Sequence, residues 1–172
     1  IGLDHTLDRA LFEDQETVLL AQLHLARELH RPVSIHCRQA WGRLLELLDR
    51  HGWPEDGLMF HSFSGPKELV PSLTGHGAYC SFSGSITHPR NIRGRKALAA
   101  VPLDRLLIET DAPDLLPSLP PEALATGPNH DRPFNEPAYL PLILGVAAEI
   151  RNTLPDPLAE AKPLELAADA GK

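Results

Sequence analysis

Two histidines and a set of acidic residues stand where short apolar runs end in this 172-residue chain. Pro32-Val33-Ser34-Ile35 leads into His36 and Arg38, Leu58-Met59-Phe60 into His61, and Leu106-Leu107-Ile108 into Glu109 and Asp111. Imidazole nitrogen with carboxylate oxygen suits a divalent metal such as Zn²⁺ or Mn²⁺, whereas Mg²⁺ favours more oxygen. Each residue also has a plainer reading. A lone strand-end histidine is commonly a hydrogen-bonded structural residue, and Asp111 ahead of Ala112-Pro113 could simply start a turn. Glu109 could be a buried carboxylate paired with an arginine such as Arg38, and Arg38 could be a surface or ion-pair residue. Ser64-Gly65 and Ser83-Gly84 read as turn chemistry. Only the joint pattern, with polar groups gathered at successive run ends, favours a site.

Such a site needs elements that bring those ends together. Apolar runs alternate with amphipathic stretches along the chain. Strand ends are expected at 1–4, 32–36, 58–61, 77–82 and 105–109. Helices are expected over 14–30, 40–51, from Pro66 through Leu73, over 90–101 and over 137–150. Pro141 suits the last of these only near its first turn. A proline-rich loop is expected from Leu115 to Asn135. Such alternation predicts right-handed β-α-β units and a parallel sheet. His36, His61, Ser83 and Asp111 are separated by 25, 22 and 28 residues, close to the strand-helix unit of a (β/α)₈ barrel. A doubly wound open sheet shares that local pattern, so spacing alone leaves both open. In either, sites form at the C-terminal ends of the strands. Alternation places Ser34, His36 and Arg38 on one face, as it does Met59 with His61 and Phe63, and Glu109 with Asp111.

Bulk properties narrow the classes. Hydrophobic residues make up 42% and charged residues 23%, ordinary for a globular domain. No apolar run approaches the roughly 20 residues that a membrane helix needs, so no membrane association is expected. The net charge of −7 argues against a general electrostatic trap for nucleic acid, and leaves any attraction to a metal and a few local cations. Cys37 and Cys80 read as reduced thiols of a cytosolic, cytoplasmic protein. Alternation turns Cys37 away from His36, so a packed thiol is expected there. His5, His24, His30, His51, His76, His88 and His130 have no supporting constellation and read as surface or structural.

Five segments carry a resemblance. Ile1-Gly2-Leu3-Asp4, Pro32 to Arg38, Phe60-His61-Ser62-Phe63-Ser64-Gly65, Leu107 to Pro113 and Asn135-Glu136-Pro137 look, in order and spacing, like the signatures of the TatD family of metal-dependent deoxyribonucleases. The resemblance implies a partial (β/α)₈ TIM barrel, roughly its last five strands with their helices, over residues 1–151, followed by an Ala/Pro-rich tail over 152–172. It implies two divalent metal ions (Zn, Mn or Mg) and hydrolysis of DNA phosphodiester bonds by a metal-activated water. Carried over by position, His36 and His61 resemble two ligands of one metal. Asp111 resembles a ligand of the other and a catalytic residue that orients or deprotonates the attacking water. Arg38 resembles a substrate-binding contact to phosphate, and the role of Glu109 is left open.

The family pattern also has a His-x-His pair and a Glu directly before the Ile-Gly-Leu-Asp segment, and neither is among these residues. The natural N-terminus is therefore expected upstream, with open barrel edges in this chain. The family's usual ending is not evident around Leu164 to Lys172. Two alternatives stand beside the nuclease: a truncated, catalytically incomplete family member, and an ester or amide hydrolase acting on another substrate such as an aminoacyl-tRNA. No protein partner is evident.

Overall fold

In the computed structural model, described over residues 1–119 and 133–152, five parallel strands form one sheet. They are β1 (Gly2–Asp4), β2 (Val33–Arg38), β3 (Leu58–His61), β4 (Tyr79–Phe82) and β5 (Leu106–Ile108), hydrogen-bonded in sequence order. This order separates the two topologies that local spacing left open. A doubly wound sheet reverses direction at a switch point, whereas a barrel adds each strand beside the last. With every step in one direction, right-handed crossovers put the connecting helices on one face. Those helices are α1 (Phe12–Glu28), α2 (Trp41–His51), α3 (Val70–Gly75), α4 (Ile92–Ala100) and, after the last strand, α5 (Leu140–Arg151). None of the described helices is long and apolar enough to cross a membrane.

The core lies between this face and the helices, and strand alternation dictates it. In β2, Val33, Ile35 and Cys37 are buried while Ser34, His36 and Arg38 are exposed. Phe60 pairs in register with Ile35 and Cys80, and Cys80 with Leu106, so one apolar row crosses the sheet. Leu19 and Leu23 of α1 and Trp41, Leu44, Leu47 and Leu48 of α2 close over it. Cys37 is packed as its position in the alternation requires, and burial pushes its thiol up to about 12.

Helix boundaries follow local chemistry. Asn91 caps α4 by accepting from the Gly94 N–H, which satisfies a donor with no partner inside the helix. Pro141 falls in the first turn of α5, where its missing N–H costs nothing. The stretch after Pro66 begins as a 3₁₀ turn at Lys67–Leu69 before α3. A further 3₁₀ turn at Gly84–Thr87, read above as a simple Ser-Gly turn, lines the way from β4 to α4. A Cβ on Gly84 would sit 2.5 Å from the Leu115 carbonyl, so only glycine lets the segment after Asp114 approach. Most of the expected proline-rich loop, His130 and the tail beyond Asn152 lie outside the described residues.

Candidate metal and phosphodiester site

His36 and His61 are register partners on adjacent strands. The pleat therefore points both rings to the same face, away from the helices, with centroids 6.4 Å apart. β1 is drawn against this pair by a close approach. The Ile1 carbonyl accepts from the His36 N–H at 2.7 Å, and Gly2, at φ +147°, has no room for a Cβ against the His36 carbonyl. That contact brings the Asp4 carboxylate to 3.5 Å from His36 Nε2. Asp4 is itself held by the Gln15 side chain, which accepts from its N–H and donates to its carbonyl. Burial raises the Asp4 carboxyl, but hydrogen bonds from the Thr6 hydroxyl and N–H, with His36 adding to them, hold it below the ordinary value.

His61 is gripped on both nitrogens. Nδ1 lies 3.0 Å from the Glu109 carboxylate and Nε2 lies 3.0 Å from Asp111 Oδ1. Glu109 is anchored in turn, accepting from the Ser62 N–H at 2.8 Å and the Ser81 hydroxyl at 2.7 Å. The Glu109 hydrogen bond raises the His61 pKa above its ordinary value; burial opposes this, and the charges of Glu109 and Asp111 reinforce it. The alternative pairing of Glu109 with Arg38 does not occur: its partners are His61, Ser62 and Ser81.

Asp111 reaches the site differently from the others. β5 ends at Ile108, so strand alternation does not carry to Asp111. Instead its backbone turns left-handed at φ +61°, a conformation that Asp tolerates better than most residues. The buried Asn135 holds this turn by donating to the Thr110 carbonyl at 2.6 Å and to the Asp114 carbonyl. Gln39 after β2 and Ser62 after β3 are also left-handed. Strained backbone thus follows three of the five strands at the same end of the sheet, as is common where side chains must be aimed.

All four residues singled out in the sequence, His36, Arg38, His61 and Asp111, line one cavity of about 400 Å³ at the C-terminal strand ends. Ser62, Ser64, Ser85, Asn91, Arg93 and Asp114 share it. The contact of Asp4 with His36 was not foreseen, and Ser81, which with Ser83 ends the fourth apolar run, anchors Glu109. Asp4 stands in the Ile-Gly-Leu-Asp segment, and that was the available signal. The partners of Glu109 required register to be seen.

The donors fit a divalent ion in kind. His36, His61 and Asp111 are partly exposed and line one cavity. Glu109 holds Nδ1 of His61, the arrangement in which an outer carboxylate fixes a ligating imidazole through its far nitrogen. They fall short in number: among the described residues no three His, Cys, Asp or Glu side chains gather as a ligand set.

The chain matches the family model described as TatD related DNase over residues 1–162. It is 39% identical over 153 residues to the 3'-5' ssDNA/RNA exonuclease TatD of Escherichia fergusonii, covering 87% of this chain and 56% of that protein. The Escherichia coli K12 protein of the same name is 38% identical over 144 residues, covering 83% and 53%. The chain thus spans little more than half the length of these relatives. The solved TatD homologue YJJV of Escherichia coli K12 superposes with a TM-score of 0.79 at 33% identity, over 94% of this chain and 58% of that one. A hydrolase TatD family protein of Entamoeba histolytica superposes with a TM-score of 0.71 at 20% identity, over 94% and 58%, a likeness of fold alone.

Proposed function

The chain belongs to the TatD-related DNase family, and on that premise we propose that it forms the part of a divalent-metal-dependent nuclease site that holds and cleaves a phosphodiester of single-stranded nucleic acid. The observation that carries this reading is the meeting of His36, His61 and Asp111, from three strand ends, in one cavity with Arg38. His36 and His61 would be ligands of one ion and Asp111 a ligand of a second. When bound, divalent ions supply Lewis-acid stabilisation of charge on the phosphoryl oxygens.

The chain's own groups do the rest. Glu109 fixes the His61 ring so that Nε2 faces the cavity. Asp111, beside Nε2, is placed to take a proton from a water entering the cavity and so direct it at phosphorus. Arg38 offers a planar pair of donors to two phosphoryl oxygens, the geometry for which guanidinium is suited. Asp111→Asn keeps the size and loses the base, so nucleotide release from single-stranded DNA should fall by about 10²–10⁴-fold. A variant that retains the parent rate would overturn the assignment.

A second reading rests on the incomplete ligand set. Such ions prefer four or more ligands, so on this reading the described residues hold metal weakly and turn over slowly. Metal content of the purified chain separates the two. Two tightly held ions per chain contradict the second reading, and metal that washes out in dilute buffer supports it.

A further inference from the structure

Arg38 comes from the end of β2 and Arg93 from the first turn of α4, yet both line the cavity that holds His36, His61 and Asp111. Several other arginines are engaged: Arg43 grips Glu16 with two hydrogen bonds, Arg95 donates to the Ile86 carbonyl, and Arg151 donates to Leu98 and Val101. The guanidinium groups of Arg38 and Arg93 make no hydrogen bond or ion pair among the described residues, and both residues are exposed. Asp111 and Asp114 line the same cavity, so its charges balance in a chain of net charge −7, and two guanidiniums without a partner among the described residues give it local anion-binding points against the global field. The carboxylate nearest the chemistry, Asp111, is engaged with His61, and the hydroxyls of Ser62 and Ser85 add neutral donors to the wall. A cavity of about 400 Å³ falls in the range of clefts that hold a small organic ligand, more room than one phosphate needs.

We infer that Arg93 binds the backbone phosphate next to the one cleaved, so the substrate of this site is a strand with at least two consecutive phosphodiesters rather than an isolated nucleotide ester. This rests on the nuclease reading, in which Arg38 takes the scissile phosphate. Arg93 supplies a second fixed point, which sets the register of the strand without reading its bases.

The test is binding of a short labelled single-stranded DNA to the full chain in chelator, followed by fluorescence anisotropy across a salt series. Arg93→Ala should weaken binding about tenfold at low salt, as loss of one charge-assisted hydrogen bond does. It should also make the slope of log affinity against log salt shallower by about 0.7, the contribution of one single-strand phosphate. Arg93→Lys should keep the slope. In the wild type, a neutral methylphosphonate at the phosphate beside the scissile one should reproduce the loss, and it should add nothing to Arg93→Ala. An unchanged affinity and slope in Arg93→Ala, equal losses on charged and neutralised strands, or no wild-type binding at low salt would each overturn the inference. Hydrolysis is scored separately with divalent metal present. If Asp111→Asn cleaves as the parent does while Arg93→Ala still loses binding, the catalytic reading fails and the phosphate subsite stands.

Discussion

The two ends of the sheet are built from similar residues and put them to different use. The base, at the N-terminal strand ends, has the larger hollow, about 910 Å³, lined by His30, His51, His76, Arg27 and Trp53. Several of these groups are satisfied close by. His76 stacks on Trp53 with centroids 3.9 Å apart, His30 pairs with Asp56, and Arg27 donates to the Gly52 carbonyl. Positive φ there falls mainly on Gly52, Gly57 and Gly77, with His30 the exception, so the turns carry little strain. At the mouth, Gln39, Ser62 and Asp111 take positive φ with side chains present. Polar groups there meet across long sequence separations, as His61 does with Glu109 and Ser62 with Ser83. The difference teaches that histidine density and cavity size are poor guides to chemistry. What marks the mouth is costly backbone held in place so that groups from separate strands converge.

On that contrast, substitutions at the mouth should remove function with little loss of stability, and those at the base should cost some stability and leave function unchanged. Beyond Asp111→Asn, the largest functional effect is expected from Glu109→Gln. Its amide cannot accept from the Ser62 N–H, the Ser81 hydroxyl and His61 Nδ1 together, so metal affinity should drop by about 10–100-fold. Calorimetric titration with Mn²⁺ reads this, and an unchanged affinity would remove Glu109 from the site. Core packing between the ends provides the stability control. Phe60, fully buried, should cost about 3–5 kcal/mol on truncation to Ala, measured by chemical denaturation.

A smaller, pH-dependent effect is expected at His61. Its folded pKa is raised above the ordinary 6.5, first by the Glu109 hydrogen bond. The stabilisation is therefore fully present below about 6.5 and is lost as pH rises through the raised value. The gap in thermal midpoint between wild type and His61→Ala should narrow from about pH 6 to about pH 8. A gap that widens would reverse the assignment. Least of all, His76→Ala should cost about 0.5–1.5 kcal/mol from the lost stack and leave hydrolysis unchanged. If it reduces activity as Glu109→Gln does, the two ends are not distinct.

Much of the mouth could be read from sequence because it follows pleat and register. His36, Arg38 and His61 sit at strand ends, and alternation alone puts them on the face away from Ile35 and Phe60. The sequential strand order was not readable, since a local β-α-β pattern is the same in both topologies. Asp111 reaches the cavity by a left-handed turn held by Asn135, not by the strand alternation that pairs it with Glu109 in the sequence. The partners of Asp4 and Ser81 were not readable, since they depend on which strand lies beside which. Arg93 lies in the first turn of a helix, and its access to the cavity depends on how the segment around Gly84 packs against Leu115.

The claim on which the account turns is that His36 and His61 act on one centre at the mouth. Mn²⁺ titrated into the full chain at low occupancy broadens the imidazole proton resonances nearest to where it binds, and it does so even when binding is weak. The account predicts that the ring signals of His36 and His61 broaden together, ahead of those of His30, His51 and His76. Broadening that begins at the base histidines, or that reaches His36 and His61 at different metal concentrations, would contradict it.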